Sequence, residues 1–182
     1  MLQGKSVRLR PVEMSDLDLF VELKADFSSL EMLATKLSPI SPDAVSIWLK
    51  KSSESFEPMK FTIIDKDSSE KVGYIGFENI DFVEGHSGFG FFVRSSCRGK
   101  GYGSEALRLI LEYGFFHLRL RRIYTEVLET NIASQRVVKN LGFIEEGRLR
   151  QQAYRNGNYI DVLVFGIIND EFKRIDGLGE DS

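Results

Sequence analysis

Three glycines alternate with other residues in segment 98–104, whose sequence is Arg-Gly-Lys-Gly-Tyr-Gly-Ser. Such glycines let the backbone approach a ligand closely, and an amphipathic pattern that predicts a helix begins directly after them. The N–H groups at the start of a helix attract anions, and Arg98 and Lys100 add positive charge. The spacing predicts a phosphate site, with a glycine-rich turn that holds no ligand as the alternative.

A dinucleotide site is the first rival interpretation of this segment. Residues 101–106 satisfy the pattern Gly-x-Gly-x-x-Ala, and Glu126 ends the next predicted strand. A doubly wound sheet needs further strand–helix units, but only one helix and two hairpin-linked strands are predicted after Glu126. An oxidoreductase is therefore a remote alternative. The phosphate-loop pattern of nucleotide hydrolases does not occur in the sequence.

The composition limits the classes of partner. The 24 Lys and Arg residues against 27 Asp and Glu residues give a net charge of -3, which does not favour nucleic acid as a partner. One cysteine, Cys97, and two histidines, His86 and His117, predict neither an internal disulfide nor a metal site. No apolar run or signal peptide indicates a membrane, so a cytoplasmic protein is expected.

The first half of the chain predicts one strand, two helices and then three strands. The strand covers residues 7–12, Ser15 or Asp16 caps a helix, and Ser41 with Pro42 starts the second helix. The buried stripes of these helices are expected to be Leu17, Phe20, Leu23 and Phe27, and Val45, Trp48 and Leu49. Residues 60–64, 72–82 and 89–93 then predict an antiparallel meander, because their turns are short.

The second half predicts a helix from Ser104, a strand at 122–127, a helix capped by Asn131 and a final hairpin. The helix between the strands at 89–93 and 122–127 allows these two strands to be parallel neighbours. Gly142 is expected to close the second helix in the left-handed conformation. The hairpin joins residues 144–154 and 159–168.

Two motifs in this order of elements resemble the GNAT superfamily of acyl-CoA-dependent N-acetyltransferases. The first is residues 98–103, which match Arg or Gln, two residues, Gly, one residue, then Gly or Ala. The second is Asn131 before a helix that ends in Leu-Gly-Phe at 141–143. The resemblance runs almost end to end and is nearest to Rim-type ribosomal-protein N-terminal acetyltransferases and spermidine acetyltransferases.

The resemblance implies one α/β (α+β) domain at residues 1–175, followed by an acidic tail at 176–182. Its fold would be a mixed, mostly antiparallel seven-stranded sheet, splayed in the middle, with helices on both faces. The co-substrate would be acetyl-CoA, without a metal. The implied coenzyme-binding residues are Phe92, Val93, Arg98, Gly99, Lys100, Gly101, Tyr102, Gly103, Ser104 and Asn131.

The implied reaction is transfer of an acetyl group to a primary amine by direct attack in a ternary complex. Relatives place a tyrosine where this chain has Val138, so Ser134, one helical turn earlier, is the candidate that protonates the leaving thiolate. Glu78 is the candidate base, with Asp81, Asp161 or water as alternatives. Covalent catalysis by the single cysteine is not the habit of this family.

The acceptor stays open at this point. It could be a small-molecule amine or a protein N-terminus, and the resemblance also leaves a homodimer open. The alternative function is a regulatory module that binds acyl-CoA without turnover, because the tyrosine is missing and the base is unclear.

Overall fold

The strands predicted from alternating apolar residues join one sheet in a computed structural model that describes residues 1–34, 40–54 and 59–172. The strands are β1 (Leu2–Gln3), β2 (Val7–Pro11), β3 (Lys60–Asp65), β4 (Lys71–Asp81), β5 (His86–Val93), β6 (Arg122–Leu128), β7 (Ile144–Arg155) and β8 (Asn158–Ile168). The α-helices are α1 (Leu17–Ala25), α2 (Phe27–Leu30), α3 (Pro42–Glu54), α4 (Tyr102–Phe116) and α5 (Ile132–Asn140).

Within the described residues the sheet has eight strands in the order β1-β2-β3-β4-β5-β6-β8-β7. Only β5 and β6 pair in parallel among these strands, which confirms the mixed, mostly antiparallel sheet. The additional strand is β1, where Leu2 lies opposite Leu9 at the edge of the sheet. Two residues are too short for an alternating pattern, so the sequence predicts seven strands.

The parallel pair is joined only at its beginning. His86, Ser87 and Gly88 of β5 lie opposite Arg122, Ile123 and Tyr124 of β6. Beyond Gly88, β5 continues along β4 as far as Val93 while β6 stays with β8 along its whole length, which confirms the expected splay between these parallel neighbours. Residues 89–93 and 125–128 are therefore unpaired with each other, and the sheet is open between them.

The helices cover both faces of the sheet. Helix α4 packs on one face, where Gly114 permits close contact, since a Cβ there would lie 2.8 Å from the Ile123 side chain and 3.0 Å from the Phe77 ring. Helices α1 and α3 cover the other face and bury Phe20 and Leu49. Successive side chains of β4 point to opposite faces of the sheet, which explains the two layers. Phe77 packs on the α4 side, whereas Tyr74 packs with Phe20 and Leu49 on the side of α1 and α3.

Two expectations for the first helix are wrong. Phe27 is 56% exposed, because α1 ends at Ala25 and Asp26 caps a separate short helix by accepting a hydrogen bond from the N–H of Ser29. Asp16 makes no side-chain cap for α1 and is instead buried among cationic and hydroxyl groups. The predicted acidic tail at 176–182 and the domain end at residue 175 lie outside the described residues.

Candidate functional site

The backbone of residues 99–104 forms a cradle at the N-terminus of α4. Gly99 and Gly101 have φ of 77° and 83°, a left-handed conformation that favours glycine. Within the described part of the chain, no group accepts a hydrogen bond from the six N–H groups of residues 99–104, and the first bond of the helix runs from the N–H of Glu105 to Gly101. Unpaired N–H groups in this geometry bind anions.

The cradle opens into a cavity of about 630 Å³, here called the cradle cavity. A Cβ on Gly99 or Gly101 would meet no atom within 4 Å, so the backbone itself faces open space. The opposite wall comes from α5. The lining residues include Ser29, Phe91, Val93, Arg98, Tyr102, Asn131, Ser134 and Arg136. The residues present therefore fit a ligand whose phosphates lie against the cradle.

Arg98 has a different position from the one that the charge pattern suggests. Its Nη2 donates a hydrogen bond to Ser29 Oγ at 2.6 Å, and its Nε donates to the carbonyl of Val93 at 3.2 Å. The guanidinium thus joins α2 to the end of β5 along the wall of the cradle cavity. Lys100 is exposed and lies 5.9 Å from the Tyr102 ring centroid, so the charge contributed to the cradle by side chains is peripheral.

The open edge of β5 presents the backbone groups of Phe91 and Val93. Thr125 Oγ1 donates to the carbonyl of Phe89 at 3.1 Å, and Arg98 binds the carbonyl of Val93, so odd-numbered residues face the opening. Phe92 lies opposite Tyr74 in the ladder with β4, and backbone groups of alternate residues point in opposite directions. The backbone groups of Phe91, rather than those of Phe92, therefore face the open edge, while Phe92 still lines the cradle cavity and its role in coenzyme binding stays a prediction.

A second cavity of about 320 Å³, here called the strand cavity, lies between β5, β6 and α5. Gly88 and Gly90 form part of its floor, and Glu78, Tyr74 and Tyr124 line it. The two cavities share a wall. The residues that line both are Met32, Leu33, Phe91, Asn131 and Ser134. A molecule in one cavity can therefore meet a molecule in the other at this wall.

Asn131 connects α5 to the segment above the shared wall. Its Oδ1 accepts a hydrogen bond from the N–H of Ser134 at 3.1 Å, which confirms the helix cap. Its Nδ2 donates to the carbonyl of Met32 at 2.8 Å. Arg155 of β7 supports the same segment through hydrogen bonds to the carbonyls of Glu31 and Leu33. Three side-chain bonds thus fix residues 31–33 over both cavities.

Ser134 is half-buried and its hydroxyl makes no hydrogen bond to any described residue. Val138 follows it one helical turn later and is buried in the wall of the strand cavity. The hydroxyl is therefore free to bond a group at the junction of the cavities, and its role as proton donor stays a prediction.

Glu78 projects from β4 at the strand cavity and is paired with a buried lysine. Its Oε1 lies 3.3 Å from Lys60 Nζ, and 49% of the Glu78 side chain is exposed. Gly90 makes room for the carboxylate, since a Cβ there would lie 3.1 Å from Oε1. A carboxylate that reaches solvent and lines a cavity can accept a proton from a bound cation.

The two alternative candidates for the base, Asp81 and Asp161, are hydrogen-bonded to other parts of the fold. Asp81 accepts hydrogen bonds from the N–H groups of Val83 and Glu84, both at 2.9 Å. Asp161 accepts from Arg148 and from the N–H of Gln151, both at 2.8 Å. These bonds lower the pKa of both carboxyl groups, so neither is suited to hold a proton near neutral pH. Neither residue lines the two cavities.

The sequence of this chain matches a known domain over most of its length. Residues 6–144 match the profile of the acetyltransferase (GNAT) domain.

The chain belongs to the GNAT acetyltransferases.

Relatives of this GNAT chain match most of its length. The uncharacterized N-acetyltransferase p20 of Bacillus licheniformis is 30% identical over 94% of this chain and 97% of that protein. The spermidine N(1)-acetyltransferase of Escherichia coli strain K12 is 25% identical over 94% of this chain and 91% of that protein. These relatives and the matched domain make this chain an acetyltransferase.

Solved structures share the fold. The spermidine N-acetyltransferase of Vibrio cholerae, solved in complex with CoA and spermine, superposes with a TM-score of 0.85 at 23% identity, covering 92% of this chain and 98% of that one. An acetyltransferase of the GNAT family from Bacillus anthracis gives a TM-score of 0.82 at 22% identity, covering 93% and 99%. The single α/β domain with an open, mostly antiparallel sheet is thus the GNAT fold. A doubly wound oxidoreductase sheet is excluded.

Three residues of this GNAT site are missed by sequence reasoning. Phe91 lines both cavities, but its direction depends on the register between β4 and β5. Tyr124 lies across Gly88, whose Cβ would be 3.4 Å from the phenol ring. Arg136 lines the cradle cavity opposite the cradle. It lies two residues after Ser134 in the same helix, and this position in the sequence could have identified it.

Among residues 1–34, 40–54 and 59–172, no group of three or more His, Cys, Asp or Glu side chains is placed to hold a metal ion. No helix in these ranges has the length and apolar character of a membrane span.

Proposed function

We propose that this chain transfers the acetyl group of acetyl-CoA to a primary amine by direct attack in a ternary complex. The observation that carries the proposal is the wall shared by the two cavities, where Phe91, Asn131 and Ser134 face both. The cradle supports binding of the coenzyme pyrophosphate, and the open edge of β5 supports binding of the pantetheine arm as an added strand. The acceptor amine then occupies the strand cavity.

The proton on the acceptor has to leave first. A free primary amine has a pKa near ~10, so most of it is ammonium at neutral pH. Two carboxylates, Glu78 and Glu126, line the strand cavity, and Glu78 accepts this proton directly or through water. The ion pair between Glu78 Oε1 and Lys60 Nζ, 3.3 Å apart, holds the carboxylate at the wall of the cavity.

The thioester carbonyl and the leaving group need hydrogen-bond donors. The N–H of Val93 faces the open edge of β5 and donates to the carbonyl oxygen as charge develops there. Ser134 lies at the junction of the cavities with a free hydroxyl, which donates to the departing thiolate. The cysteine takes no part, because Cys97 is 3% exposed and belongs to the hydrophobic core.

The domain assignment belongs to this proposal. All strands of the described residues, from Leu2 to Ile168, belong to one sheet, which supports one catalytic domain at residues 1–175. The acidic residues 176–182 are assigned to a tail outside it.

Release of free thiol from acetyl-CoA over a panel of amines tests the proposal. Ser134→Ala and Glu78→Gln are expected to lower kcat by at least about tenfold at pH 7, because each removes a proton-transfer group. The Glu78→Gln loss is expected to shrink at pH 9, where the amine needs less help. Ser46→Ala and Glu84→Gln, which lie outside both cavities, are matched controls with unchanged kcat.

Two results would count against this function. Equal kcat for all four variants would show that neither group transfers a proton. Calorimetric binding of CoA without thiol release on any amine would favour the alternative, a module that binds acyl-CoA without turnover.

A further inference from the structure

Two lysines face the same pair of aromatic rings beside the strand cavity. Lys24 Nζ lies 6.0 Å from the ring centroids of both Trp48 and Tyr74, and Lys60 Nζ lies 5.9 Å from the same two centroids. The four side chains come from α1, α3, β3 and β4. We call them the lysine cluster.

The lysine cluster has more positive charge than its acidic neighbour balances. Glu78 is 3.3 Å from Lys60, and no described carboxylate pairs with Lys24. Lys60 is only 8% exposed, so its charge receives little solvation. Burial, and then the charge of Lys60, lower the pKa of Lys24, and the charge of Glu78 only partly opposes this effect. Aromatic faces provide only a partial substitute.

The lysine cluster borders the position proposed for the acceptor. Tyr74 and Glu78 line the strand cavity; the Tyr74 ring faces both lysines, and Glu78 pairs with Lys60. Lys60 lies opposite Gly76 in the ladder between β3 and β4. Because glycine has no side chain, β4 does not cover Lys60 at this position. An anionic group at the Tyr74 side of the cavity would therefore lie next to both ammonium groups.

We propose that the acceptor is an amine that also carries an anionic group, a carboxylate or a phosphate, and that Lys24 and Lys60 bind this group at the Tyr74 end of the strand cavity. This inference rests on the proposed function, since it places the acceptor in that cavity. The anion supplies the missing counter-charge, and the amine of the same molecule reaches toward the shared wall. A polyamine would bring further positive charge beside the buried Lys60 and the half-buried Lys24, which is unfavourable.

The single tryptophan of the chain gives a binding signal that needs no turnover. Trp48 is in the lysine cluster, so its fluorescence should change when an anion binds there. The probes are L-alanine against L-alaninamide, O-phosphoethanolamine against ethanolamine, and spermidine, each titrated in the presence of CoA. The first pair tests a carboxylate and the second a phosphate, while the amine is retained in both.

The anionic member of at least one pair is expected to bind about tenfold more tightly than its neutral partner, the size of one charge-assisted hydrogen bond. Lys24→Met keeps the apolar stem and should reduce this preference to below about threefold. Lys50→Met on the exposed side of α3 is the matched control and should leave the preference unchanged. The thermal midpoint of Lys24→Met should not fall, since an unpaired charge is removed.

Three outcomes would overturn the inference: equal affinity within both pairs, tighter binding of spermidine than of either anion, or a preference that Lys24→Met leaves intact. The fluorescence titration reports on the anion site even if no thiol is released. A failure of the proposed catalytic function would therefore appear in the thiol assay alone.

Discussion

Substitution of Asp16 tests how the helix that carries Lys24 is held on the sheet. Asp16 is fully buried and accepts hydrogen bonds from Arg10 at 2.7 and 2.8 Å, from Thr62 at 2.7 Å and from the N–H of Glu13 at 2.9 Å. Lys71 lies 2.9 Å from the same carboxylate. Strands β2, β3 and β4 are thereby joined to the start of α1. Asp16→Asn removes the charge and keeps the shape.

Removal of one partner from a fully buried ion pair costs about 3–5 kcal/mol. Here the side chains of Arg10 and Lys71 are 14% and 33% exposed, so water compensates part of the loss. We therefore expect Asp16→Asn to reduce the free energy of unfolding by about 2–4 kcal/mol. For a domain of this size that corresponds to a fall in Tm of about 4–16 °C.

The pH dependence of the stability loss shows whether the charge of Asp16 causes it. Burial raises the pKa of Asp16, but the hydrogen bonds from Arg10, Lys71, Glu13 and Thr62 outweigh it and hold this pKa well below its usual value. A depressed pKa contributes stability that is fully present above the unfolded value of ~3.9 and is lost as the pH falls below it. The difference between wild type and Asp16→Asn should therefore be constant above about pH 5 and shrink in acid.

Urea unfolding followed by circular dichroism from pH 3 to pH 8 provides the measurement. Asp18→Asn is the matched control, because Asp18 is exposed in the first turn of the same helix. Its effect is expected to stay below about 1 kcal/mol. The reasoning would be refuted if Asp16→Asn unfolded at the wild-type urea concentration, or if its deficit were as large at pH 3 as at pH 7.

Two glycine substitutions test the backbone elements of the site. Gly101→Ala imposes a side chain on a residue with φ of 83° and should lower the free energy of unfolding by about 1 kcal/mol. It should also weaken CoA binding about tenfold, as measured by calorimetry. The control is Gly147→Ala, which lies in open space without a positive φ and should change neither stability nor CoA binding. Gly73→Ala places a Cβ 2.1 Å from the carbonyl of Phe92, so β4 and β5 must separate. Its Tm should fall by several degrees, and an unchanged Tm would contradict the register described for these strands.

The anion cradle could be predicted because its signal is local. Three alternating glycines before an amphipathic pattern determine the shape of the backbone within a few residues, and α4 begins at Tyr102, two residues before the predicted start at Ser104. The meander and the hairpin β7–β8 follow for the same reason, since short turns leave few other pairings. Side-chain identity matters little at such positions.

The positions of Arg98 and Phe91 could not be predicted in the same way. Arg98 precedes the glycines and suggests a phosphate contact, but its Nη2 binds Ser29, 69 residues away in the chain. The direction of Phe91 depends on the register of β5, in which a shift of one residue exchanges the two faces. The register becomes fixed only when β4 is already in place, so a sequence pattern cannot choose between Phe91 and Phe92.

The two halves of the site differ in what makes them. Backbone N–H groups form the coenzyme side, so a glycine motif is enough to identify it. Side chains from α1, α3, β3 and β4 form the lysine cluster on the acceptor side, and no short motif brings Lys24 and Lys60 together. These lysines are brought together by tertiary structure. Asp16 holds the start of α1, and the strand ladder places Lys60 beside Glu78. Acceptor preference should therefore follow charge changes on α1 and β3, while coenzyme binding follows the cradle.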